Sequence, residues 1–131
     1  MPAHLNGSPS TLGIVGTIAA WTESDEWLAA ARRTITARRD QLARRLATDV
    51  ASIGFDPPDA TYLCWLDMRE AGLGDDPAET LLERFGVALS SEPKFGPDSA
   101  GFARINVATS EQILDEVIDR IASAVDQSSM A

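Results

Sequence analysis

Apolar residues recur with helical spacing along the longest periodic stretch of the chain, SDEWLAAARRTITARRDQLARRLATDVASIG, residues 24–54. Leu28, Ala31, Ile35, Leu42, Leu46, Val50 and Ile53 fall three, four or seven positions apart, which puts them on one stripe of a helix. Asp25 and Glu26 open the stretch, matching the positive end of a helix dipole, and Gly54 is the expected stop. At about 1.5 Å per residue such a helix runs roughly 35–40 Å, longer than the core of a small domain, so it reads as a bridge between two domains. Before it, TLGIVGTIAAW at 11–21 is apolar almost all round, with Ser10 and Thr11 as possible caps. A segment of that kind is buried on most sides, which asks for a neighbour to cover it.

The pattern then changes period. ATYLCWLDM, 60–68, alternates moderately and is rich in aromatic residues, so it reads as a strand. REAGLGDDP is a turn, and Asp76-Pro77 begins a short helix that runs to a stop at Gly86. VALS, 87–90, reads as a short strand, SEPKFGPDSAG as a loop and FARINVA, 102–108, as a further strand. The last element is a helix from TSEQILDEVIDRIASAV, with Thr109 and Gln112 as a capping box and Ile113, Val117, Ile121 and Val125 as its stripe. The order predicts an α+β fold: a small, mostly antiparallel sheet covered on one face by helices and preceded by a long interdomain-type helix.

Composition narrows the function. The chain has 131 residues and a net charge of −9, which repels nucleic acid and gives such a role little support. No run approaches the roughly 18 apolar residues of a membrane span, and residues 1–20 lack the basic start and apolar core of a secretory leader. One cysteine, Cys64, excludes an internal disulfide and suits a reducing compartment, so a cytoplasmic setting is expected. Six arginines at 32, 33, 38, 39, 44 and 45 make residues 26–50 locally basic, which reads as a solvated helix face.

Few residues carry chemistry. His4 stands alone in a turn-rich lead-in, so no metal site or catalytic triad is expected. Cys64, beside Trp65, reads as a small buried residue, and Lys94 as a surface charge. GLGDDP is an acidic turn, not a phosphate cradle. Arg104 is different. It lies among Phe102, Ile105 and Val107 in a strand that otherwise wants burial. A guanidinium there needs an anion, either an Asp or Glu of this chain or the carboxylate of a ligand held at two points.

Taken together, the segments STLGIVGTIAAW, EWLAAARRTITARRDQL, ATYLCWLDMR and GVALSSEPKFGPDSAGFARINVAT carry a resemblance. TYLxWLDxR and FGxxxxGFxRxNxAT are specific in combination. From about residue 5 to 125 the chain resembles the C-terminal part of pyridoxal-phosphate enzymes of the aspartate-aminotransferase fold, in the cystathionine β-lyase (C–S lyase) subgroup of the class I/II aminotransferases. The resemblance implies that Arg104 grips the substrate's α-carboxylate and that Asn106 supports it. Tyr62 and Trp65 are expected in the core rather than at the site. The implied domains are 1–24, a lead-in and apolar helix matching the end of a large domain; 25–53, a linker helix; and 54–131, a small C-terminal domain.

The implied cofactor is pyridoxal phosphate, the substrate a small amino acid of the cystathionine or cysteine type, and the partner a large cofactor-binding domain or a homodimer. The family's Ser-x-x-Lys stretch and cofactor pocket have no counterpart here, and Lys94 lies in a loop without that role. The chain by itself is therefore expected not to bind the cofactor covalently, and its Met1 would lie mid-protein in the parent. The alternative is a stand-alone, non-catalytic α+β module that binds a carboxylate ligand or another protein.

Overall fold

The computed structural model describes residues 10–90, 96 and 99–130. His4 and Lys94 lie outside the described residues. The chain divides into two compact units, Met1–Arg33 and Thr34–Ala131, with the division inside one helix.

The first unit holds α1, Thr11–Glu23, and the start of α2, Asp25–Asp49. Ser10 caps α1, its side-chain oxygen accepting from the Gly13 N–H at 3.4 Å. Thr17 and Thr22 tolerate the helix interior because each hydroxyl donates to the carbonyl four residues back, Gly13 and Ile18. Burial on most sides was expected of α1, yet none of its residues is buried. Leu12, Val15, Ile18 and Trp21 are all more than half exposed, Trp21 to 85%.

The second unit is built on a sheet. β1, Leu63–Asp67, pairs antiparallel with β2, Phe102–Asn106, and Trp65 lies opposite Arg104. Two single bridges extend it: Gly54 to Asp67 beyond β1, and Ser90 to Arg104 beyond β2. VALS is therefore not a strand, since only Ser90 joins the sheet. Gly54 does not stop α2, which ends at Asp49; its missing side chain instead lets the main chain approach Asp67, where a Cβ would sit 3.1 Å from the Asp67 Cβ.

Period two then decides what is buried. Cys64, Leu66, Ala103 and Ile105 point inward and are at most 5% exposed. They join one core with Leu42 and Leu46 of α2, Ala78 and Leu81 of α3 (Pro77–Phe85), and Leu114, Ile118, Ile121 and Val125 of α4 (Glu111–Ser129). α3 starts and stops as its sequence predicts. The Asp76 carboxylate accepts from the Glu79 N–H at 3.0 Å, Pro77 occupies the first turn, and Gly86 ends the helix at φ +65°. α4 is capped by Ser110, not Thr109: the Ser110 Oγ accepts from the Ile113 N–H at 3.2 Å. Its buried row includes Leu114 and Ile118, while Ile113 is left exposed.

The arginine run of α2 is not a solvated face throughout. Arg38 pairs with Glu111 at 3.0 Å, and the Arg45 guanidinium reaches Asp49, Asp115 and Asp119 at 2.5–2.7 Å. The buried Gln41 amide donates to Asp115 at 2.6 Å. Residues 38, 41 and 45 on α2 thus face 111, 115 and 119 on α4, two rows of one-turn spacing held together by charge.

Candidate functional site

β2 positions Arg104 on the outward face of the sheet. Its neighbours Ala103 and Ile105 turn into the core, and Arg104 itself is half-buried. The main chain is held firmly: the Arg104 N–H donates to the Ser90 carbonyl at 3.1 Å, and the Ser90 N–H donates to the Arg104 carbonyl at 2.9 Å. The guanidinium Nη2 donates to the Ser90 Oγ at 3.3 Å. Because both main-chain groups of Arg104 point to Ser90, its pairing with Trp65 is of the non-hydrogen-bonded kind. In that kind of pair the Cα atoms come within about 4.5 Å and the side chains lie closest.

Asn106 shares this face, two residues on, but its side chain has another task. The Asn106 Oδ1 accepts from the Ala108 N–H at 2.8 Å, a local turn that ends the strand. The structure thus brings Arg104 and Asn106 to one face while committing the Asn106 oxygen to the backbone.

Tyr62 and Trp65 are not core residues, being 46% and 37% exposed. Phe102 is also turned outward, on the Arg104 side of β2 and not with Ile105 and Val107. The Trp65 and Phe102 rings stack with centroids 5.9 Å apart and planes 17° from parallel. The Arg69 guanidinium lies over the other part of this cluster, 4.8 Å from the Phe102 centroid. Arg69 also forks onto Asp67, with Nε to Oδ1 at 2.8 Å and Nη2 to Oδ2 at 2.6 Å. These bonds hold the Asp67 carboxyl below its ordinary range and raise the Arg69 guanidinium further. Gly54, Phe55, Asp56, Trp65, Asp67 and Phe102 line an open cavity of about 410 Å³ beside them.

Sequence reasoning missed this cluster, although its signal was present in LCWLD. With Cys64 and Leu66 inward, alternation obliges Trp65 and Asp67 to face out. Cys64 is fully buried, and desolvation pushes its thiol up from the ordinary value, the opposite of an activated nucleophile. Among the described residues no group of His, Cys, Asp and Glu could hold a metal ion, and no helix is long and apolar enough to cross a membrane.

Comparison with known proteins gives this face a context. The family model for aminotransferases of class I and II matches residues 3–121. A cystathionine beta-lyase of Corynebacterium glutamicum is 32% identical over 88% of the chain and 31% of its own length. The cystathionine beta-lyase PatB of Bacillus subtilis is 28% identical over 91% of the chain and 31% of its own length. Among solved structures, the PLP-bound C–S lyase from Staphylococcus hominis superposes with a TM-score of 0.85 at 26% identity, covering 93% of this chain and 33% of that one. The chain spans about a third of the length of the curated relatives it matches.

Proposed function

Since the chain belongs to the aminotransferase class I and II family, we propose that it supplies the carboxylate-holding small domain of a pyridoxal-phosphate C–S lyase or aminotransferase acting on amino acids. Arg104 grips the substrate's α-carboxylate, and Asn106 stiffens the end of its strand. The observation that carries this reading is the setting of Arg104. Its main chain is clamped to Ser90 by two hydrogen bonds, and its inward neighbours are locked in the core, so the guanidinium has a fixed base. A planar fork on a fixed base suits a two-point grip on a carboxylate.

Pyridoxal phosphate, when bound, supplies the electron sink for chemistry at the amino acid's α-carbon. The described residues do not fit as its holder. No lysine lies among them, and the cavity beside Trp65 is walled by Phe55, Trp65 and Phe102 and edged by the exposed Asp56, which repels a phosphate. The lysine and phosphate contacts belong to a large domain in this reading, and the chain alone does not turn over substrate. Residues 1–24 then complete that large domain, 25–53 link the two, and 54–131 are the small domain. The exposed Leu12, Val15, Ile18 and Trp21 of α1 support the arrangement, because a large domain would cover them. A stand-alone module would leave this apolar row in water.

The test is Arg104→Lys in the enzyme reconstituted with a large, cofactor-bearing domain. Replacing the fork by a point charge is expected to raise KM for the amino acid by about tenfold or more, the effect of losing one charge-assisted hydrogen bond. Unchanged KM and kcat would remove Arg104 from the site.

A further inference from the structure

We propose that the outer face of the sheet is a docking surface for a basic segment of a partner, and that the cavity walled by Phe55, Trp65 and Phe102 is the socket for one arginine side chain of that segment. The inference is independent of Arg104, which is not among the residues lining the cavity. It takes from the proposed function only that a further domain lies against this chain, and the rest of a longer parent supplies the segment.

Three observations carry it. Placement is the first. Gly54 and Asp67 exchange main-chain hydrogen bonds at 2.8 and 2.9 Å, and Asp67 lies opposite Phe102 in the strand register. Phe55 and Asp56 therefore follow directly on a sheet edge that already holds the stacked rings of Trp65 and Phe102. The open cavity of about 410 Å³ that these residues line has room for a guanidinium and its stem. Precedent is the second. The chain already holds one guanidinium in this chemistry: Arg69 lies 4.8 Å from the Phe102 centroid and forks onto Asp67. A ring beside a carboxylate is what a planar, weakly hydrated cation needs, and Phe55 and Trp65 with Asp56 repeat that combination at the cavity. Charge is the third. Arg69 neutralises Asp67, whereas the exposed Asp56 has no ion pair among the described residues, so the cavity is left with a net negative charge. An apolar side chain seated there would cover that charge without pairing it, and an acidic one would repel it. An arginine pairs it and covers the rings.

The full 131-residue chain tests this by titration in ¹H–¹⁵N spectra, read at the Trp65 indole Nε1–H, which Trp65→Phe assigns. The probe is the peptide acetyl-Gly-Arg-Gly-amide, and its citrulline analogue, equal in shape and uncharged, is the comparison. The arginine peptide is expected to bind about fivefold more tightly, the combined size of an exposed cation–ring contact and a surface ion pair. Asp56→Asn is expected to reduce that preference to about twofold and to leave citrulline binding unchanged. Asp59→Asn, an exposed change outside the cavity, is expected to keep it whole.

Equal affinities for the two peptides would overturn the proposal, because the rings would then take a side chain without regard to charge. So would an equal loss of preference in Asp56→Asn and Asp59→Asn, the mark of diffuse attraction to a chain with a net charge of −9. If ethylguanidinium moves the indole and the arginine peptide does not, the cavity takes a small cation and the docking surface is wrong. An indole that stays still with every probe also ends it. None of these outcomes bears on the carboxylate grip of Arg104, whose own test stands apart.

Discussion

Arg45→Met tests the charge seam between α2 and α4. One guanidinium serves three carboxylates there, Asp49 at 2.5 Å, Asp115 at 2.7 Å and Asp119 at 2.5 Å. Methionine keeps an unbranched stem over the same surface and deletes the charge, so packing loss is small. The Arg45 side chain is 30% exposed, which places each pair near the surface regime of about 0.2–1 kcal/mol. Without the guanidinium, three carboxylates also face one another uncompensated. The sum is an expected loss of about 1–2 kcal/mol, or roughly 4–15 °C in melting temperature for a unit near 100 residues. Asp49 and Asp119 raise the Arg45 pKa above an already high value, so the effect holds to alkaline pH. The assay is thermal and urea unfolding followed by circular dichroism at low salt and at about 1 M salt, where the screening length falls to roughly 3 Å. The gap between variant and parent is expected to shrink by about half in high salt. Arg44→Met, at an exposed neighbouring position, is the control. Equal losses for the two variants, or a loss indifferent to salt, would refute the reasoning.

Three further outcomes are expected. Gly101 sits at φ +80°, and a Cβ there would lie 2.5 Å from the Arg69 Cγ; Gly101→Ala should cost about 1–2 kcal/mol in urea unfolding and disturb the Arg69–Phe102 contact. The buried Cys64 thiol, its pKa pushed up by desolvation, should react with a disulfide reagent at pH 8 at least about a thousandfold more slowly in the native chain than in urea, and fast native labelling would contradict its burial. Asp67 has its folded pKa lowered by Arg69, so its stabilisation is present above the unfolded pKa and is lost as pH falls through the folded value. Asp67→Asn should therefore shift the urea midpoint at pH 7 and match the parent once pH is well below about 4.

Local signals were legible in the sequence where the physics is local. Asp76-Pro77 and Gly86 bound α3 because a cap, a fixed φ and a left-handed residue act within one turn. The later part of the α2 stripe, Leu42, Leu46, Val50 and Ile53, is buried as its spacing predicts. The α4 stripe drifted because steps of four overrun a turn of 3.6 by about 40° each. The buried residues 114, 118, 121 and 125 alternate steps of four and three, which keeps them facing the sheet. Thr109 and Ser110 both offer a hydroxyl, and only the helix start decides that Ser110 reaches the Ile113 N–H. The arginines of α2 looked solvated because their partners, Glu111, Asp115 and Asp119, stand about 70 residues away. Tyr62 and Trp65 were expected inside, and at Trp65 the parity of β1 decides otherwise.

The same parity explains a guanidinium in a strand that wants burial. A sheet covered by helices on one face needs apolar residues only on that face, and Cys64, Leu66, Ala103 and Ile105 meet the need. A merely solvated outer face would alternate to small or charged polar residues. Here it carries Trp65 stacked on Phe102, with Arg104 half-buried across from the indole. Large rings on an outer face add no core and give up favourable burial unless something else covers them.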